Sequence, residues 1–423
     1  MRFHTTLGRL VAIALISVAA SAAAAQQPAP GRWTFDPATR VQDWQEDIDT
    51  LLKELPARHK NAFFQCTKEQ FAAAGAELRA KVPDLKDHEV VVGLMKLAAM
   101  IGDAHTGISH RELSPPFHAF PIAMYVFSDG PVIIGASKKH ADLIGCSLVS
   151  LGGIPWQEAF RKVAVTSAYE NEATFMDRGP RLVIVPEIDH AVGLIPTMDK
   201  VTITVREEGG TERKLDLAPL APGENTQGRP SKEAELPRYR QKRERRNWFE
   251  PLPDQKAVYL RYDTCSDEPG QTVAQVAEKV LAAIDAGGVE RVIVDLRSNG
   301  GGNSALLAPL TKGLKSRAAA LTGGVRVLIG RFTFSSAEMN AVELKQQVGA
   351  RLVGEPTGQK PNHYGELKSF VLPHSKITVR YSTTFWKTEA GDRPSLEPDQ
   401  QVLVSSADYF AMRDPVLEAA TRH

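Results

Sequence analysis

Val294-Asp-Leu-Arg-Ser-Asn-Gly-Gly-Gly-Asn303 runs from an apolar segment straight into three consecutive glycines. The preceding residues, Arg291-Val-Ile-Val-Asp-Leu296, read as a buried strand, and a helix is expected over Asn303 to Lys315. Glycines at a strand-to-helix step let the backbone turn tightly and bring N–H groups close to a ligand. Such donors suit a phosphate or the oxyanion of an acyl-transfer reaction. No Gly-Lys-Ser/Thr follows, as a P-loop requires. The plain alternative is a tight structural turn.

The alternation continues on both sides. Ala257-Val-Tyr-Leu-Arg-Tyr262 reads as a strand, Val273 to Ala286 as a helix, and Val325-Arg-Val-Leu-Ile329 as a strand. A helix over Ser335 to Val348 and a short strand at Arg351-Leu-Val353 follow. Strands and helices at this spacing predict an α/β domain over residues 251–423. One strand–helix step past the glycines stands Thr333-Phe-Ser-Ser-Ala-Glu338, with its serines at a helix opening. By itself this is a helix cap, favoured by free N–H groups and the positive end of the dipole. Beside the glycine turn it makes Ser335 a candidate nucleophile, because both loops can converge from neighbouring strand ends.

A serine nucleophile needs a base. His105 lies in Gly102-Asp-Ala-His-Thr-Gly107, just past the end of a helix, and Lys360 follows Gly354-Glu-Pro-Thr-Gly358. A loop histidine is ordinarily a surface or capping residue, and a lone lysine a solvated charge. Histidine needs little tuning to act near pH 7, whereas lysine needs burial to lower its pKa far enough. His363 is a further histidine near the site, read as a loop residue contacting backbone. Glu338 and Glu355 read as helix-capping or turn residues, and Cys265 as a buried thiol.

Outside the catalytic stretch the texture changes twice. Met1 to Ala25 combines a basic head, a short apolar body and an alanine-rich exit, as a secretory signal peptide does. A periplasmic or secreted protein is therefore expected, with an uncleaved anchor as the alternative. Residues 26–115 read as a helical domain. Trp44, Ile48, Leu51 and Leu55 mark a helix ending at Pro56, Thr67-Lys-Glu-Gln70 a capping box, and Lys86 to Ile101 a third helix. Residues 116–220 read as β-rich, with runs such as Ile122 to Phe127 and Val201 to Val205. Residues 221–250 form a polar linker bearing a basic cluster, Arg238 to Arg246, interrupted by acids and read as a solvated connector. The 423-residue chain has a net charge of +1 at pH 7, which gives no global pointer to nucleic acid. Its three cysteines, Cys66, Cys146 and Cys265, are no disulfide framework, and one bridge or three free thiols stay open. No Cys/His run has zinc spacing, so neither a metal nor a cofactor is expected.

Taken together, the motifs resemble a known family. Asp295-Leu-Arg-Ser-Asn-Gly-Gly-Gly302 is similar to the Asp-Leu-Arg-x-Asn-x-Gly-Gly motif of the tail-specific (C-terminal processing) peptidases. Thr333 to Glu338 resembles their Thr-x-Ser-x-x-Glu segment, and Gly354-Glu-Pro-Thr357 their Gly-Glu-Pro-Thr turn. Asp103-Ala-His-Thr106 resembles the Asp-Gly-His-Thr of tricorn-type and retinoid-binding relatives. The resemblance implies a crotonase- or ClpP-like catalytic domain, with Ser335 as nucleophile and the Gly301 and Ser336 amides as oxyanion hole. It implies either Lys360 or His105 as base. The surroundings of Lys360 depart from the lysine branch, which favours His105. An orienting acid upstream of Pro398-Asp399 is expected, with Asp392 favoured over Glu389 and Glu397. Leu151-Gly-Gly-Ile-Pro155 before a helix at Trp156 to Val163 resembles the strand–glycine–helix step of PDZ domains, with Ser167 to Lys200 as an insertion. The implied partner is a peptide or unfolded protein tail. A small-ester hydrolase, a non-catalytic ligand-binding protein on the same core, and a phosphate- or nucleotide-binding module are the alternatives.

Overall fold

The computed structural model describes Trp33, residues 35–114 and residues 116–422. The signal-peptide segment lies outside the described residues. Among these, no helix is long and apolar enough to cross a membrane.

Three helices come first, α1 (Arg40–Arg58), α2 (Lys68–Lys81) and α3 (Asp87–Ala99). Trp44, Ile48, Leu51 and Leu55 form the buried stripe of α1, as their spacing predicts. The helix passes Pro56 and ends at Arg58, because a proline in the last turn removes one N–H without blocking the residues after it. Thr67 and Gln70 form the reciprocal capping box that starts α2.

A six-stranded antiparallel sheet follows. It contains β1 (Ile122–Phe127), β2 (Gly130–Ala136), β3 (Ser147–Leu151), β4 (Ile154–Pro155), β5 (Val201–Arg206) and β6 (Glu212–Leu217). Between β4 and β5 the chain forms α4 (Trp156–Ala164), α5 (Glu172–Leu182) and α6 (Pro186–Ala191). The last two occupy the stretch Ser167 to Lys200 that the sequence marks as an insertion. Asn171 caps α5 by accepting from Thr174 N–H, a signal local to the sequence.

The second large sheet has the order β14-β11-β10-β9-β8-β7. Its strands are β7 (Asn247–Leu252), β8 (Ala257–Tyr262), β9 (Arg291–Asp295), β10 (Gly324–Ile329), β11 (Arg351–Gly354) and β14 (Gln400–Gln401). All pairs are parallel except β7 with β8. Every residue of β8 and β9 is buried, as expected for parallel strands covered on both faces. α7 (Val273–Asp285), α8 (Ala308–Ser316) and α9 (Ser336–Glu343) share a core with Val292 and Val294 on one face. Ile293 on the other face packs in the cluster that holds Val416 and Leu417. The expected linker overlaps the start of β7, which is an edge strand of this sheet. In the preceding basic cluster, Arg238 and Lys242 both pair with Glu250.

From this sheet a long antiparallel hairpin, β12 (His363–Val371) and β13 (Thr378–Trp386), reaches back to the N-terminal helices. Phe370, Ile377, Val379 and Tyr381 of this segment lie in the same apolar core as α1, α3 and the antiparallel sheet. Two short helices, α10 (Ser406–Phe410) and α11 (Pro415–Thr421), close the chain.

Candidate active site

β9, β10 and β11 are adjacent and parallel, so the loops leaving their carboxyl ends emerge along one edge of the sheet. Those loops are the three sequence motifs: the glycine turn, the serine segment and Gly354 to Gln359. Crevices at such strand ends are the usual ligand sites of open α/β sheets. Side-chain bonds stitch the loops together. Thr333 Oγ1 donates to Leu296 O at 2.9 Å and accepts from Gly330 N–H at 3.0 Å. Phe334 N–H donates to Asn299 O at 3.1 Å, and Ser336 Oγ donates to Gly302 O at 2.6 Å.

Ser335 sits between β10 and α9 at φ 56° and ψ −129°. A non-glycine residue at positive φ is uncommon and strained, and such strain clusters at functional sites. Gly301 lies against it at φ +106°, where an added Cβ would be 2.7 Å from Ser335 Cβ. Only glycine allows both that φ and that approach. Ser336 is the first residue of α9, so its N–H lacks an intrahelical partner. The Gly301 N–H instead donates to Asn299 Oδ1 at 2.9 Å, so it is engaged in this state. The glycines on the wall of the cavity are Gly300 and Gly302.

His105 reaches this edge from the other end of the chain. Its loop pairs with β13 through Gly107 N–H to Arg380 O at 3.1 Å and Arg380 N–H to Gly107 O at 3.0 Å. Asp103, fully buried, anchors the loop. It accepts from His105 N–H, Thr106 Oγ1, Ser382 Oγ and the His59 ring. Ser335 and His105 line one cavity of about 750 Å³ with Phe334, Met339, Leu367 and Trp386. Among the described residues, no hydrogen bond joins Ser335 Oγ to His105; such bonds are often long before substrate arrives.

Gln359, fully buried, bridges the two. The Ser335 N–H donates to Gln359 Oε1, and Gln359 Nε2 lies 3.2 Å from His105 Nδ1. A backbone N–H can only donate, so the amide oxygen must face Ser335 and the amide nitrogen must donate to Nδ1. The proton of the neutral imidazole is then on Nε2. That nitrogen is buried, and a backbone interaction of the ring with Tyr364 favours the protonated form. Burial pushes the His105 pKa down to about 4, and the nearby Asp103 charge opposes the shift without cancelling it.

Lys360 and Asp392 are not brought to the nucleophile. They pair with each other at 3.8 Å beside a neighbouring cleft, and neither lines the Ser335 cavity. Gln359 turns inward, while Lys360 points along that cleft. Asp392 is 70% exposed. Glu389 pairs with Arg393. Asp103 Oδ1 lies 3.8 Å from His105 Nδ1. His363 stacks on His105 at 5.9 Å and directs its Nδ1 at the Lys360 and Pro361 carbonyls. Glu338 is wholly buried and accepts from Thr357 Oγ1, so it caps no helix, and Glu355 sits in the bend after β11 and pairs with Arg331. Cys265 is buried with its thiol pushed up to about 11, and all three cysteines are free.

Two residues of the segment read as an insertion also matter. Glu170 accepts from Ala104 N–H and Lys360 N–H, and Arg178 donates to Ala104 O at 2.8 Å. Burial, followed by the charge of Asp103, pushes Glu170 up to about 7. Asp103, His105 and Glu170 stand close enough to share a metal ion. All four of their carboxylate oxygens already accept N–H or O–H donors, which leaves them fewer lone pairs to offer an ion.

No protein-family model matches the chain, and no curated relative does either. Solved structures do. Mature CPAF complexed with lactacystin matches with a TM-score of 0.64 at 14% identity, over 90% of this chain and 98% of that one. A crystal structure of mature CPAF gives 0.61 at 14%, over 90% and 97%. The tricorn protease gives 0.41 at 13%, over 90% of this chain and 36% of that one, too loose to carry an argument. At these identities the likeness to CPAF establishes a shared fold.

Proposed function

We propose that this chain is an exported serine peptidase of the tail-specific and tricorn type, acting by acyl transfer through Ser335 with His105 as base. One observation carries the reading. A serine held at positive φ at a helix start shares a cavity with a histidine delivered from a distant loop. His105 Nε2 takes the Ser335 proton as Oγ bonds to the substrate carbonyl carbon. The Ser336 N–H, at the positive end of α9, stabilises the oxyanion. Collapse breaks the C–N bond, and the amine leaves with the proton from His105. Water then attacks the ester, passes a proton to His105, and releases the acid and Ser335.

In this cycle the imidazole proton must sit on Nδ1 when Ser335 attacks. Gln359 therefore releases Nδ1, and Asp103 is the carboxylate placed to hold the Nδ1–H, in the role expected of Asp392. The cavity, with Trp386, Leu367 and Met339 on its walls and Arg380 at its side, suits a peptide segment. A second reading, a binding protein without turnover, is favoured by the Gln359 contact alone, because it holds the unproductive tautomer.

Covalent labelling with a fluorophosphonate probe, read by intact mass, separates the two. Labelling is expected for wild type and Lys360→Ala, and its loss for Ser335→Ala and His105→Ala. Loss with Lys360→Ala alone transfers the base role to lysine. A folded wild type that never labels leaves the binding reading.

A further inference from the structure

We propose that His88, Glu89 and His190 form a binding site for one divalent transition-metal ion, zinc by its ligand set, that fastens α6 to α3. His88 and Glu89 are in the first turn of α3, and His190 is in the last turn of α6. No sequence spacing connects them. Their ligand atoms lie within 4.8 Å of one another. His88 Nε2 and His190 Nδ1 are 3.1 Å apart, and His190 Nδ1 and Glu89 Oε1 are 3.7 Å apart. Four ligands placed tetrahedrally at zinc bond lengths of about 2.0–2.1 Å stand roughly 3.3–3.4 Å from each other. The two observed separations bracket that edge.

The chemistry of the set is selective. Two imidazole nitrogens and one carboxylate oxygen suit zinc and its neighbours, whereas calcium and magnesium prefer oxygen alone. Three protein ligands leave a fourth position for water. The carboxylate is already oriented from behind, since Glu89 Oε2 accepts the Lys86 N–H at 2.8 Å. His190 and Glu89 keep 18% and 23% exposure, enough to admit an ion from solvent. The alternative is a simple imidazole–imidazole hydrogen bond, which needs a proton between the rings and leaves Glu89 only its capping bond from the Lys86 N–H.

None of the three residues lines the Ser335 cavity. The proposal is independent of the peptidase reading, and the ion's task is mechanical. α6 closes the segment that carries Glu170 and Arg178 against the His105 loop. The test uses untagged mature protein stripped with a chelator and titrated with zinc chloride by calorimetry and thermal melting. One equivalent of zinc is expected to bind and to raise Tm. In His190→Gln and Glu89→Gln, affinity is expected to fall at least ~100-fold, beyond the 10–100-fold range of outer-shell changes. Both variants should keep the wild-type circular dichroism spectrum. Failure of folded wild type to bind zinc overturns the proposal, as does undiminished binding by both folded variants. Equal Tm gains with magnesium would also overturn it.

Discussion

Gln359 is the residue on which the chemistry of the site turns. Its amide must point its oxygen at Ser335 N–H, so its nitrogen donates to His105 Nδ1. A carboxylate at that position would accept at both ends and draw the imidazole proton to Nδ1. Gln359→Glu is therefore expected to raise the fluorophosphonate labelling rate by about 10-fold or more, within the range general-base catalysis contributes. An unchanged rate would show that Gln359 does not set the tautomer.

The His105 pKa, pushed down to about 4, makes a second claim. The basic form is present throughout neutral pH, so the acid limb of the labelling profile should have its midpoint near pH 4. A midpoint near the ordinary histidine value of about 6.5 would mean that the reacting state is far more solvated. The stability sign follows from the same shift. As pH falls from about 6.5 to 4, the unfolded chain takes a proton that the folded one refuses, so His105 lowers stability in that window. Glu170, raised to about 7, binds its proton in the folded state first, and its contribution is lost as pH rises from about 4.5 to 7.

At the scale of elements, the parallel register of β9, β10 and β11 makes three loops into one site. The tightest point is Gly301 against Ser335. Gly301→Ala forces a Cβ to 2.7 Å from Ser335 Cβ and holds alanine at φ +106°. Strain of this kind costs about 1–3 kcal/mol. Labelling is expected to fall about 10-fold or more, because each ~1.4 kcal/mol of that strain displacing Ser335 in the transition state costs tenfold, while the protein stays folded by circular dichroism. A fully active Gly301→Ala would show that the two loops move apart freely and that their contact does not shape the site.

The whole molecule decides whether a base is present at all. The loop that carries His105 is held by four partners: Asp103 within it, Arg380 of β13 at Gly107, and Glu170 and Arg178 at the Ala104 backbone. Arg178 also donates to Ser167 Oγ and Ala168 O. Arg178→Met leaves these acceptors and Ala104 O unpaired. A loss of about 2–4 kcal/mol in denaturant unfolding is expected, together with slower labelling. A stable Arg178→Met that labels at the wild-type rate would remove the α5 region from the account of the site.

How much of this was legible in the chain follows from the range of the forces involved. Patterns set by neighbours in sequence could be read directly. The strand at Ala257 to Tyr262, the α1 stripe, the Thr67 capping box and the glycine turn each depend on residues a few positions apart. So does the strand-to-helix placement of Ser335, because free N–H groups at a helix start are a local property. Long-range partners left no such trace. Lys360 stands at the expected distance after Ser335, yet the adjacent Gln359 faces inward, and one residue reverses which side chain meets the site. Asp392 met the positional expectation but pairs with Lys360 in solvent. The choice of Asp103, the meeting of His105 with Ser335 across the β12–β13 hairpin, and the convergence of His88, Glu89 and His190 were settled only by tertiary packing. Sequence determined the elements and the chemical types they carry, because hydrogen-bonded turns and apolar periodicity are short-ranged. Tertiary structure decided which of those groups touch, because contacts between distant segments are fixed by the shape of a shared core.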